Sequence, residues 1–564
     1  MTERNDKPGS GTTGRRGVDA STDAGARPLP VFHPTPPPKG DLTRAPVLGR
    51  FLRWKHARTA LQIPLLLLAV WIVVDGFFGP DMAPRNAAGV APWVQWRGLV
   101  ILALLIAGNL FCMACPFMLP RRLAKKLLPA DRSWPAWLQA KWLALGLLVL
   151  FFWAYEALDL WNSPWLTAWL VLSYFAAAFV IDGFFKGAAF CKYVCPIGSF
   201  NFVNSLASPG EVRVRDVDVC ESCETKDCIA GRHELDPRTG EERRVQSGCE
   251  LWLFQPRKVG NMDCTFCLDC VQACPYDNVG ITARVPGKEL VADRWRSGIG
   301  RFTERPDIMV LALTLVFLAF LNAAGMIQPM ENVRSAIAGV LGTGSEVVVW
   351  TVVMVLGLGV IPIALLAAAG WLSRKLSGDH EVSTRRVVLR MAFGLVPVGF
   401  GMWIAHYAFH FLASGLNLIP VLHRGAIDIG LAAGPPNWDL AAMLPGDWLL
   451  PLELIVLEAA ALGSLGLLYY IAGQTFHTAR SAVRGLLPWA VLAVGLAGAG
   501  AWIMTQPMAM RGMMMPGMDM PGMEMEMETE MEMEMEMEME VDETPSHEEM
   551  GHDPMSHEPE SPGG

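Results

Sequence analysis

The sequence predicts a membrane all-α protein of about nine transmembrane helices, with a small cysteine-rich α+β domain inserted on the cytoplasmic side and disordered termini. Three observations lead there. Of 564 residues 52% are hydrophobic and only 18% charged, which excludes an ordinary soluble enzyme. Apolar runs of about 20 residues recur, the length that crosses a hydrocarbon core about 30 Å thick. Eight of the twelve cysteines fall in one polar stretch, about 200–300.

The spans are expected near 60–79, 98–118, 142–160, 164–185, 307–328, 347–372, 388–412, 449–472 and 486–506. Basic residues of the short connections set their direction, because Lys and Arg are retained on the cytoplasmic side. Arg50, Arg53, Lys55 and Arg58 form one basic group, followed on the same side by Arg121, Arg122, Lys125 and Lys126, then Arg374, Lys375, Arg385 and Arg386, then Arg480 and Arg484. The opposite connections hold few. The N-terminus and the cysteine-rich domain are therefore expected in the cytoplasm and the C-terminal tail outside it. Residues 1–55 read as a disordered arm, since they are rich in Gly, Pro, Thr and Arg and show no apolar period. No cleavable signal peptide is expected, because the first apolar run, near Ala60, is long enough to span. The organisation expected is 1–55 arm, 56–199 four-helix membrane region, 200–300 cysteine-rich domain, 301–506 five-helix membrane region, and 507–564 tail.

The net charge of −9 divides unevenly. From Met508 onward 17 acidic residues face only Arg511, a net of −16 that leaves +7 for the rest. The acidity therefore belongs to the tail, and nothing in the chain points to nucleic acid.

Cys264, Cys267, Cys270, Cys274 and Pro275 read C-x2-C-x2-C-x3-C-P, the bacterial ferredoxin run. Three closely spaced thiolates on a tight loop serve one cubane, while the Cys before Pro serves a second cluster. Structural zinc favours two separated pairs of ligands, and a reducing compartment disfavours disulfides. Cys220, Cys223, Cys228 and Cys249 supply a looser second run, with a twenty-residue insertion before Cys249 and Glu250 where Pro is expected. Two [4Fe-4S] clusters in a ferredoxin-like domain are the natural count for eight ligands. Ligands swapped between runs would group Cys220, Cys223, Cys228 and Cys274 against Cys249, Cys264, Cys267 and Cys270. Sequential pairing, each run holding its own cluster, is the alternative; one cubane plus a zinc or spare thiols is the third.

Four cysteines sit at membrane borders. Cys112 and Cys115, followed by Pro116, end the second span, and Cys191 and Cys195, followed by Pro196, follow the fourth. Covalent haem attachment is excluded, because C-x-x-C-H needs His where Pro116 stands. A redox or structural role beside the clusters competes with packing as small apolar residues. Together, CKYVCPIG at Cys191–Gly198, the pair Cys115–Pro116 and the two-cluster run resemble the membrane polyferredoxins related to NosR, NapH and CcoG, over roughly residues 60–290. The resemblance implies a multi-pass protein of the bacterial inner (cytoplasmic) membrane that moves electrons between the quinone pool and a partner redox protein. Two Cys-to-Cys intervening residues in the first motif, no preceding flavin-binding domain and five further C-terminal spans set this chain apart.

His406 and His410, four residues apart in the seventh expected span, share a helix face. Ionisable groups within a span are functional candidates, with haem, copper or quinone as the ligands such a pair would serve and hydrogen-bonded core histidines as the bland reading. Asp75, Glu156 and Asp182, near span ends, read as solvated. The tail carries Met513, Met514, Met515, Met518 and Met520, a Met-Glu repeat, and His547, His552 and His557. Thioethers suit Cu(I) and imidazoles also accept Cu(II), so copper collection competes with a solvating acidic tail.

The functional expectation is an electron-transfer component rather than a stand-alone enzyme. It would pass electrons between the quinone pool or a cytoplasmic donor and a partner redox enzyme, such as a copper-dependent respiratory reductase of the nitrous oxide reductase kind. Copper handling, or cupric reduction for assembly of a copper enzyme, is the rival. Transport is a third class, for which neither intramembrane charged pathways nor inverted broken-helix repeats are evident.

Overall fold

A computed structural model of the protein describes residues 40–508 and is mostly helical. Among the described residues, eight helices are long and apolar enough to cross a membrane: Ala57–Phe78, Ala87–Ile106, Pro164–Phe184, Pro306–Ala324, Glu346–Ser377, Thr384–Asp428, Gly446–Thr475 and Ala479–Met504. The chain is a multi-pass membrane protein. Pro306–Ala324 and Thr384–Asp428 form its middle, with 78% and 83% of their apolar windows buried, against 28% for Ala57–Phe78, Pro164–Phe184 and the remaining C-terminal helices. The low values leave apolar side chains such as Leu67, Val74, Ile363 and Val491 facing outward, as lipid contact requires.

Two expected spans differ. The segment expected over 142–160 is the helix Trp142–Ala157, 16 residues and so about 24 Å long. It lies alongside Pro306–Ala324 from end to end. The Lys141 N–H donates to the Asp307 carboxylate at 2.8 Å at one end, and Asn322 donates to Glu156 at 3.3 Å at the other. The helix expected over 98–118 instead runs from Ala87 and stops at Ile106. Gly108 adopts φ +48°, a conformation an L side chain resists, and its N–H donates to the Ser208 hydroxyl. Cys112 therefore sits in a separate short helix, Leu110–Ala114, with Cys115 at its end.

Asp75, Glu156 and Asp182 are buried, not solvated. Arg424 donates to both Asp75 carboxylate oxygens at 2.5 and 2.6 Å, Asn322 donates to Glu156, and Arg121 lies 3.2 Å from Asp182. In a bilayer a buried carboxyl group is retained where such hydrogen-bond or charged partners meet it. Residues 40–55, expected within the disordered arm, are folded. Asp41 binds Arg215 at 2.6 Å, Leu48–Arg53 is helical, and Leu52 is buried.

Between Pro164–Phe184 and Pro306–Ala324, the third and fourth of these long helices, lies the cysteine-rich stretch. Strand β1 (Gly210–Val214) pairs antiparallel with β4 (Val279–Ala283), Val214 opposite Val279. Val212, Val214, Val279 and Ile281 are buried on this ribbon. The pairing closes the chain between 215 and 278, and all eight cysteines of the stretch lie inside that closure. The insertion before Cys249 is a hairpin, β2 (Arg232–Leu235) with β3 (Glu242–Gln246), whose side chains are largely exposed.

A Cβ at Gly108 would stand 2.5 Å from the Phe266 ring. Gly108→Ala is expected to lower stability by about 1–3 kcal/mol, read as a lower unfolding temperature in detergent. An unchanged transition would show that the helix break does not depend on this residue.

Candidate metal centres

The eight cysteines of the stretch gather together, most of their electrostatic contacts falling within two foursomes, while Cys228 is also in reach of Cys249 and Cys270. Cys220 lies within electrostatic reach of Cys274 and Cys223, and Cys228 of Cys274, Cys220 and Cys223. These four line one small cavity of about 20 Å³ with Asn278, Pro275 and Phe254. Asn278 donates twice to sulfur, from its N–H to Cys274 at 3.3 Å and from its side chain to Cys220 at 3.2 Å. In the other foursome Cys249 lies in reach of Cys264, Cys267 in reach of Cys249, and Cys270 in reach of Cys249 and Cys264. All four are buried. The foursomes meet where the Cys249 N–H donates to the Cys228 carbonyl at 2.8 Å.

The loop of the second foursome is tightly curled. Asp263, Phe266 and Leu268 take φ of 64°, 56° and 62°, a left-handed region unusual for non-glycine residues and concentrated at functional loops. The curl turns the Phe266 N–H onto the Cys264 sulfur. Burial pushes the Cys249 thiol up to about 11 and the Cys228 thiol up to about 12, so these sulfurs are neutral unless a cation joins them.

Glu250, the residue standing where Pro was expected, has a definite task. Its carboxylate meets Arg121 at 3.0 Å and Arg58 at 3.3 Å, and Thr265 donates to it at 2.9 Å. Burial works to raise its pKa, but Arg121 and Arg58 outweigh that and hold it well below the usual carboxylate range. Arg58 opens the Ala57–Phe78 helix and Arg121 lies in Met118–Leu127, so Glu250 fastens the cysteine-rich stretch to the membrane region. Asp263 makes a second fastening, 3.0 Å from Lys192 and 3.4 Å from Lys141. Sequence reading missed both; the unexpected Glu250 was the available signal.

Glu250, Cys267 and Asp269 form a trio whose ligand atoms lie within 4.8 Å of one another. Arg58 is within 3.8 Å of both carboxylates, and a cation already seated there opposes a metal ion. It is the one such trio among the described residues, so within that set no three thiols stand so close together. Four thiolates on one tetrahedral zinc, with Zn–S of about 2.3 Å, stand only about 3.8 Å apart. No three thiols of either foursome lie within 4.8 Å of one another among the described residues, a wider spacing than that tetrahedron has.

The membrane-border cysteines also come together. Cys115 is in reach of Cys112 and Cys195, Cys191 of Cys195 and Cys115, and Cys195 of Cys112. Cys191 lies in a π-helical turn, Phe190–Val194, and Cys195 caps the helix Pro196–Asn204 by accepting from Gly198 at 3.2 Å. Next to them opens an apolar cavity of about 150 Å³, whose wall includes Pro116, Pro196, Tyr174, Tyr407 and Arg97. The buried Tyr174 hydroxyl has no hydrogen-bond partner among the described residues, although burying such a group unpaired is costly.

His406 and His410 are buried with perpendicular rings 4.9 Å apart. The His410 Nε2 lies 3.2 Å from the Met326 sulfur, and the His406 Nε2 has no partner among the described residues. Side by side on one helix, they do not face each other across a haem plane. Met513, Met514, Met515, Met518, Met520, His547, His552 and His557 lie outside the described residues.

No protein-family model, curated protein or solved structure matches the chain.

Removing the Glu250 carboxylate takes from Arg121 and Arg58 the acid they share, leaving them only Asp182 and Asp269. Glu250→Ala is expected to cost about 3–5 kcal/mol, and hydrogen exchange should accelerate in residues 249–275 while Thr384–Asp428 stays protected. Unchanged exchange at 249–275 would refute the fastening.

Proposed function

We propose that the protein is an integral membrane iron–sulfur electron carrier, with Cys220, Cys223, Cys228 and Cys274 holding one [4Fe-4S] cluster and Cys249, Cys264, Cys267 and Cys270 another, in a ferredoxin-like domain. The supporting observation is the grouping of eight cysteines into two adjoining foursomes fastened to membrane helices beside an apolar cavity. When bound, each cluster supplies a one-electron carrier whose potential follows burial, charge and hydrogen bonds to sulfur. The chain's own part is to donate from Asn278 to Cys220 and Cys274, to exclude water from the second foursome, and to keep Arg58 close to Cys267.

The cavity is the site for the quinone of the membrane pool. A quinone ring needs apolar walls and a few polar groups at its oxygens, and the unpaired Tyr174 hydroxyl with Arg97 and Tyr407 answers that need. The first foursome is less buried than the second, so the partner redox protein docks against it. In this reading the N-terminus and cluster domain face the cytoplasm of a bacterial inner membrane and the tail lies outside, which the distribution of basic residues in the sequence supports. Copper handling is the second reading, favoured by one observation: the Cys191 thiol lies 3.2 Å from the Met118 thioether, a soft pair suited to Cu(I).

Anaerobically purified protein tests the main reading. Cys223→Ser with Cys228→Ser should remove about four irons per chain, and Cys267→Ser with Cys270→Ser about four others. Iron content indifferent to both pairs would end the proposal. A short-chain quinol should bleach the visible cluster absorption, and Tyr174→Phe should raise the quinol concentration required roughly tenfold, about 1.4 kcal/mol. An unchanged requirement would remove the quinone from this cavity.

A further inference from the structure

Twelve cysteines make three foursomes, and the third has so far been given no ligand. Cys112, Cys115, Cys191 and Cys195 come from two chain segments 75 residues or more apart, and five of their six pairings are within electrostatic reach. Only Cys112 with Cys191 falls outside that set. Two local distortions bring them together: the break at Gly108 that frees Leu110–Ala114 from the preceding helix, and the π-helical turn that carries Cys191. Such turns cluster at functional sites.

The surroundings are those of a thiolate site rather than of small apolar side chains. Asn201 donates to the Cys112 sulfur and Gly198 to the Cys195 sulfur, each at 3.2 Å. Arg58 is within electrostatic reach of Cys112 and Cys115, and Arg121 of Cys191; guanidinium groups of this kind offset the net negative charge of a metal bound by four thiolates. As in the other two foursomes, no three of these sulfurs lie within 4.8 Å of one another among the described residues. That is wider than the separation of about 3.8 Å set by a single tetrahedral ion with bonds of about 2.3 Å. Cys112 is in reach of Cys264 of the second foursome, and Pro116 and Pro196 line the apolar cavity.

We propose that Cys112, Cys115, Cys191 and Cys195 bind a third [4Fe-4S] cluster, between the cavity and the two clusters of the cysteine-rich stretch. Its place as a link in electron transfer rests on the function proposed above; its existence as a site does not. The full-length chain, purified anaerobically, should hold about twelve irons and about twelve acid-labile sulfides. Replacing all four border cysteines by Ser should remove about four of each and leave the reduced-state paramagnetic resonance of the other two clusters unchanged.

A wild-type content of about eight irons would overturn the proposal, as would a border variant that keeps the wild-type iron. One zinc or one copper per chain that disappears with the border cysteines, while iron stays constant, overturns it in favour of a single ion. Should the border variant fail to fold, the wild-type total still decides, because twelve irons as cubanes need all twelve cysteines. The two readings fail separately. Iron lost only with the border cysteines would retain this site and end the two-cluster function, whereas iron lost only with the other eight would do the reverse.

Discussion

The arrangement depends on a buried carboxylate, Glu250, held between Arg58 and Arg121. The three residues come from the loop after Cys249, the start of the first membrane helix and the short helix after Cys115. An ion pair in a low-dielectric setting costs much of its attraction in desolvation, so its value lies in register: there is one way to satisfy all three charges. Arg121 extends the network to Asp182, and Arg58 extends it to Asp269. Asp263, between Lys141 and Lys192, repeats the device on the far side of the same loop. Sulfur ligands of a metal cluster must be held in place by such surrounding groups, because the ligand geometry is only as firm as its support.

The three cysteine groups differ in their surroundings. The border group adjoins an apolar cavity among membrane helices, the second group is buried throughout, and the first is half-buried near the surface. Neighbouring groups are linked by the electrostatic reach of Cys264 to Cys112 and by the Cys249 N–H donating to the Cys228 carbonyl. Under the proposed function this order leads from a lipid-soluble carrier to a docking surface. The central helices Pro306–Ala324 and Thr384–Asp428 supply the rigid wall behind it, with Trp403 donating to the Leu315 carbonyl at 2.9 Å across their contact.

Much was legible in the chain. Composition and apolar run length identify a multi-pass membrane protein, because a bilayer imposes length and apolarity on each residue run irrespective of tertiary detail. The cysteine spacing singled out the same eight residues that the fold gathers. What the sequence hid were relations between distant segments. The helix over 98–118 looked continuous, since Gly108 inside an apolar run is unremarkable until Ser208 and Phe266 press on it. Asp75 and Asp182 looked like solvated span ends, since their arginine partners lie 349 and 61 positions away. Residues 40–55 looked like a disordered arm, since the partner of Asp41 is Arg215.

The sequence by itself determined the solvent each segment prefers, and it determined which side chains are chemically able to hold a soft metal. Both are properties of local composition: transfer free energy is nearly additive along a run, and a thiol is a ligand wherever it stands. Only the tertiary structure decided which of the twelve cysteines lie near one another, why Glu250 stands where Pro was expected, and which unpaired hydroxyl lines a cavity. These depend on separations of a few ångströms between residues tens to hundreds of positions apart. Such separations are set by packing and by the pairing of buried charges, which no single segment contains.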